Sequence, residues 1–139
     1  MIDRITYVSR AREGLGVRDA YDIIRTAHNR NSQDGLTGAL LFLDGWFMQV
    51  LEGDAYLLDR RYAAIAVDSR HAALQLRQRV SLPGRSFPGD WMALRLDGQV
   101  SASLRERLGY EPGFPAPRFD AARLLHFARA CVTETSADL

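Results

Sequence analysis

The chain contains no lysine: all 18 of its basic residues are arginine, set against 17 acids for a net charge of +1 over 139 residues. Without lysine there is no Schiff-base chemistry, no anchoring amine for pyridoxal phosphate and no Walker-type phosphate loop. Nor is there the positive surplus that neutralises a phosphate backbone, so no direct nucleic-acid partner is expected. Cysteine occurs once, at Cys131, which excludes an internal disulfide and makes a reducing compartment the default. The three histidines, His28, His71 and His126, lack the spacing of a metal site. No apolar run is long enough for a signal peptide or a membrane span, so a cytoplasmic protein without a membrane partner is expected. What is present, 47% hydrophobic and 25% charged residues, is the composition of one globular domain with a sizeable core.

Along the chain, Ile2 to Ser9 alternates Ile5, Tyr7 and Ser9 against Arg4, Thr6 and Val8, which predicts a strand. Val17, Ala20, Tyr21, Ile24, Ala27, His28 and Asn31 then fall at helical steps, ending near Asn29 to Ser32 with Gly35 as the break. Leu36 to Leu43 and Trp46 to Leu51 flank Asp44-Gly45, a two-residue hairpin. Pairing Leu43 with Trp46 sets Phe42 opposite Phe47, Leu40 opposite Gln49 and Gly38 opposite Leu51. Both faces of this hairpin are apolar, so it belongs in the middle of a sheet covered on both sides.

Asp54 is positioned to cap a second helix carrying Leu58, Tyr62, Ile65 and Ala66. Leu74, Leu76, Val80 and Leu82 predict a half-exposed strand interrupted at Gln78. A last strand follows, with Met92, Leu94 and Leu96 on one side and Trp91, Ala93 and Arg95 on the other. The order βαββαββ predicts an α+β sandwich with two helices on one sheet face. Residues 101–108 read as a short helix and the Pro-rich span 112–117 as a linker. Ala121, Leu124, Leu125, Ala128, Cys131 and Val132 form the stripe of a final helix, able to cap the other face within this chain or in a partner. The organisation is thus a core over 1–97 and a helical extension over 98–139.

No Ser or Cys stands in a recognisable nucleophile arrangement, and Cys131 reads as a buried structural thiol. Asp54, Asp59, Arg60 and Arg61 read as a solvated charged face. Tyr7 and Gln49 differ, since both lie on central strands and point toward the helix-covered face. On spacing alone they either satisfy each other or hold a ligand. Asn31 reads equally as a helix C-cap or a ligand contact, and Arg70-His71 as a surface pair.

These residues give the chain its resemblance to the BLUF family, flavin-based blue-light sensors with a ferredoxin-like βαββαββ core. The resembling motifs are Tyr7 with Ser9, Asn31 ahead of Gly35-Leu36-Thr37-Gly38, and Asp44 through Gly53 including Phe47, Met48 and Gln49. Asp68-Ser69-Arg70-His71 and Arg85-Ser86-Phe87 with Met92 complete them, so that the resemblance covers roughly residues 2–96. It implies FAD, or FMN or riboflavin, held non-covalently between the two helices. Tyr7 would be the electron and proton donor, Gln49 the hydrogen-bond switch and Met92 the start of the output route. Asn31 would hold the ring's carbonyl and N3 edge, with Arg30, Arg70 and His71 beside the flavin. An amide suits the switch because it exchanges donor and acceptor without moving charge.

Two positions depart from the family pattern. Asp90 stands where the family has Trp, with Trp91 one residue late, and Arg30 replaces a neutral or His residue beside Asn31. The expected function is a photoreceptor acting through the C-terminal helices on a separate downstream protein or a homo-oligomer, not an enzyme. A flavin-free interaction module on the same fold is the alternative. A third reading, an acylphosphatase-like enzyme, lacks the anion loop it would need.

Overall fold

The computed structural model describes residues 1–111 and 120–134; the linker expected at 112–117 lies outside them. The elements are β1 (Ile2–Ala11), α1 (Val17–Asp34), β2 (Thr37–Leu43), β3 (Trp46–Gly53), α2 (Ala55–Ala66), β4 (His71–Leu82) and β5 (Ala93–Leu96). A 3₁₀ turn (Asp97–Gln99), α3 (Ala102–Arg107) and α4 (Ala121–Glu134) follow. The strands form one sheet in the order β4-β1-β3-β2-β5, in which β2 and β5 are parallel and every other pair is antiparallel. This is the α+β, ferredoxin-like arrangement expected. No helix among the described residues is long and apolar enough to cross a membrane.

The β2–β3 hairpin has the expected register, Leu43 with Trp46, Leu40 with Gln49 and Gly38 with Leu51. Asp44 and Gly45 both have positive φ, 53° and 80°, the backbone whose twist matches that of the flanking strands. Gly38 is obligatory, because a Cβ there would lie 1.8 Å from the Val50 carbonyl oxygen. On one sheet face Ile5, Tyr7, Leu40, Phe47 and Leu51 pack with Leu36, Leu58 and Met92 under α1 and α2. On the other, Val8, Ala39, Leu41, Leu43, Met48 and Val50 pack against α4.

The second face is therefore capped within this chain. The cap's contact stripe is rotated from the expected one. Leu124, Phe127, Ala128 and Cys131 are buried, whereas Leu125 and Val132 are only partly so. The spacing i, i+3, i+4, i+7 is the better helical match, and it brings in Phe127, stacked on Tyr110 with ring centroids 5.2 Å apart.

Strand β4 departs most from expectation. It starts at His71, and its register against β1 slips between Thr6 and Tyr7 and again between Val8 and Arg10. Each slip puts one extra residue into β4, and Ala73 takes a positive φ of 54° beside the second. A bulge reverses which face later residues occupy, so Leu76, expected on the buried side, is 50% exposed.

Candidate functional site between the two helices

Helix α1 is capped at its end by Gly35, whose N–H and that of Leu36 both donate to the Asn31 carbonyl. Of its residues only Ala20 and Asn31 are buried. Ile23 and Ala27, on the same face, stay half-buried because α1 does not close onto α2 and the sheet. The result is a cleft with Leu40, Phe47, Leu51 and Ile65 among its apolar walls and with Tyr7 and Gln49 at its floor.

Tyr7 and Gln49 are direct cross-strand partners on β1 and β3. The buried Tyr7 hydroxyl donates to Gln49 Oε1, and Gln49 Nε2 donates to the Met92 sulfur at 3.4 Å. Burial, followed by the charges of Tyr62 and Asp68, drives the Tyr7 phenol well above its ordinary pKa, so it keeps its proton. The Tyr62 ring stands edge-on to Tyr7, centroids 5.9 Å apart. Trp91 is 40% exposed, and the partners of Gln49 are Tyr7 and Met92 alone among the described residues.

Asn31 is not the helix cap. Its carboxamide leaves α1 toward the cleft, where Nδ2 donates to the Trp91 carbonyl at 2.8 Å and Oδ1 accepts from Arg61 Nη1. Arg61 also pairs with Asp34 at 2.9 Å, joining α2 to the end of α1. Placing Arg61 on a solvated face is thus corrected. It follows the buried Leu58 by three residues and precedes Ile65 by four, and that helical phase is the signal that finds it.

Arg70 and His71 line the same cleft and are half-buried rather than a free surface pair. Arg70 grips Asp68 through Nε at 3.0 Å and Nη2 at 2.5 Å. These hydrogen bonds hold the Asp68 carboxyl below and the Arg70 guanidinium above its ordinary pKa. His71 Nε2 lies 2.5 Å from the Ile65 carbonyl; a carbonyl only accepts, so Nε2 carries the proton. Arg30 stands on the α1 rim, exposed.

Glu52 is the polar residue that inspection of the pattern passes over. It is fully buried and accepts from the backbone N–H of Ser86 and of Phe87 at 2.8–2.9 Å, with Arg4 at 3.8 Å. Arg85 adds bonds to Thr37 Oγ1 and to the Glu52 carbonyl. Together they fix the loop leading to Met92.

The profile of the family described as sensors of blue-light using FAD matches residues 2–93. The chain belongs to the BLUF family. It is 36% identical over 87 residues to the photoactivated adenylate cyclase subunit beta of Euglena gracilis, covering 63% of this chain and 10% of that protein. The chain thus spans about a tenth of the length of such curated relatives. Among solved structures, the dark state of the BLUF protein BlrB is 28% identical with a TM-score of 0.78, over 93% of this chain and 96% of that one. Klebsiella pneumoniae BlrP1 with FMN and cyclic diGMP is 28% identical with a TM-score of 0.72, over 94% of this chain and 35% of that one.

The cleft of this BLUF domain fits a flavin. Its apolar walls suit a planar ring, and the buried amides of Gln49 and Asn31 each use one N–H within the protein, leaving a second for ring carbonyls and nitrogens.

Proposed function

We propose that the protein is a blue-light photoreceptor holding FAD non-covalently in the α1/α2 cleft. The observation that carries this is the buried chain Tyr7–Gln49–Met92 on the cleft floor. When bound, the flavin supplies blue-light absorption and a ring that accepts an electron and a proton. Tyr7 would be the residue placed to supply both from its hydroxyl and to recover both, with Gln49 the neighbour whose carboxamide can rearrange. Asn31 holds the ring's polar edge, and Arg30, Arg70 and His71 flank it.

Rotation of Gln49 exchanges its ends. The nitrogen then faces the Tyr7 oxygen, and the oxygen faces a sulfur with no proton to offer, so the Met92 bond is lost. Residue 92 leads directly into β5. There Arg95, buried, donates from Nε to the Cys131 carbonyl at 3.3 Å and from Nη2 to that of Val132 at 3.0 Å. Both carbonyls belong to α4. Met92, β5 and Arg95 thus form the route to the segment 98–139, whose altered cap acts on a separate protein or on a second copy.

The test is the visible spectrum of the purified chain in the dark and just after blue light. A flavin spectrum that moves to the red and relaxes in the dark supports the reading. Because Tyr7 and Gln49 also satisfy one another, a flavin-free interaction module is the second reading; protein that takes up no added FAD would make it the leading account.

A further inference from the structure

A second groove, of about 460 Å³, lies between another face of α1 and the edge strand β5. It is separate from the flavin cleft, since α1 turns Ile23 and Ala27 to the cleft but Tyr21 and Ile24 to the groove. Tyr21, Ile24 and Leu94 line it and are only half-buried, so apolar surface is left open to solvent. Met92 and Arg95, the two residues of the proposed output route, line it as well. Asp90 is a further lining residue, and its carboxylate has no hydrogen bond or ion pair among the described residues. The groove's exposed guanidinium, Arg25, is met by Asp22 at 3.0 Å, and Arg95 is buried and donates to the carbonyls of Leu94, Cys131 and Val132. The open carboxylate therefore favours a cationic donor in the groove.

The edge of β5 offers little to an incoming strand. The Leu96 N–H already donates to Gln99 Oε1 at 2.9 Å, and the Leu94 carbonyl accepts from Arg95 Nη1 at 2.8 Å, so side chains rather than backbone must make the contact. The length suits a helix: Tyr21 to Asn29 covers about 12 Å of α1, and the four residues of β5 cover about 13 Å. Two turns of a helix laid alongside match that span and present apolar side chains at i, i+4 and i+7. We propose that this groove docks an amphipathic helix of a separate protein, one that carries an arginine or lysine beside its apolar stripe to meet Asp90, and that light alters its grip through Met92. Rotation of Gln49 releases Met92, so one wall of the groove differs between the dark and light states and so does the affinity of its occupant. The light dependence rests on the photoreceptor reading above, whereas the dark-state site stands on the groove itself.

The probe is a displayed library of helix-forming peptides about 14 residues long, randomised along one face, selected in the dark against the full 139-residue chain. Enriched peptides should carry the apolar stripe with an adjacent arginine or lysine. Their affinity for the parent chain is then compared with that for Ile24→Ala and Asp90→Asn, each checked for an unchanged flavin spectrum. Ile24→Ala should weaken binding about tenfold by removing apolar contact. Asp90→Asn, on the half-buried rim and safe for folding, should weaken it about threefold, and that difference should shrink as NaCl rises from about 0.05 to about 0.5 M. Blue light should change the parent's affinity about threefold or more. A selection that enriches nothing, or peptides that bind Asp90→Asn as they bind the parent, would overturn the docking site, while a reversible spectral shift in the same chain keeps the photoreceptor reading standing. Equal affinity in dark and light, in a chain whose spectrum does shift, would overturn the link to Met92. A chain that binds the peptides as expected but shows no spectral shift would overturn the photoreceptor reading and leave the groove as a docking site.

Discussion

The Gln49 amide nitrogen stands 3.4 Å from the Met92 sulfur, and a thioether can only accept, so the contact exists in one orientation of the carboxamide. That makes Met92 a detector of which end of Gln49 faces it. Tyr7, on the other side, tolerates either end, because a phenol both donates and accepts.

Met92→Leu removes the acceptor at nearly constant volume, at a stability cost below about 1.5 kcal/mol. The light-induced absorption shift should persist, while the light-dependent change in amide hydrogen exchange over 121–134 should disappear. Exchange in α4 that still responds to light as in the parent chain would place the output route elsewhere.

Arg95→Met removes the guanidinium that donates to the Cys131 and Val132 carbonyls of α4. Loss of these partly buried hydrogen bonds should cost about 1–3 kcal/mol in urea denaturation, and light should no longer alter α4 exchange. The photochemistry itself should be unchanged, since Arg95 faces away from the cleft floor.

Glu52→Ala strips the acceptor from two backbone N–H groups and leaves Arg4 facing no carboxylate. A loss of about 3 kcal/mol is expected, read from the urea midpoint. A midpoint like that of the parent would show that the loop before Met92 is held by other means.

How much of this was legible in the sequence depended on whether a local rule governed the residue. The Asp44-Gly45 turn dictates register, so Gln49 opposite Leu40, and its place on the buried face, followed from spacing alone. Strand β4 did not follow, because a hydrophobic pattern read two residues at a time shows only a break at Gln78, beside the first bulge, and neither the shift in register nor the second bulge. Arg61 and Glu52 were passed over since charge is ordinarily a sign of solvent, and only the tertiary structure brings Asn31 to one and the 86–87 backbone to the other. Phe127 was missed through a choice between overlapping helical stripes. The donor role of Tyr7 and the switching role of Gln49 came from family resemblance, since spacing could not separate a ligand site from two side chains satisfying each other.

Cys131 should be inert. Burial pushes its thiol up to about 12, against about 8.5 in an unfolded chain. The folded state therefore favours the protonated form. The stability this gives is fully present below about pH 8.5 and is lost as pH rises toward the folded value. Iodoacetamide at about pH 8.5 should label the native protein far more slowly than the urea-unfolded chain; equal rates would contradict the packing of α4.

The central claim is that Tyr7 drives the Gln49 rearrangement, and it is tested most directly by comparing dark-minus-light absorption spectra of the parent chain and Tyr7→Phe. The phenyl ring preserves the packing against Tyr62 and His71, so the variant should still bind flavin. The account predicts a red shift that relaxes in the dark for the parent and none for the variant. A flavin-loaded Tyr7→Phe protein that shifts as the parent does would contradict it.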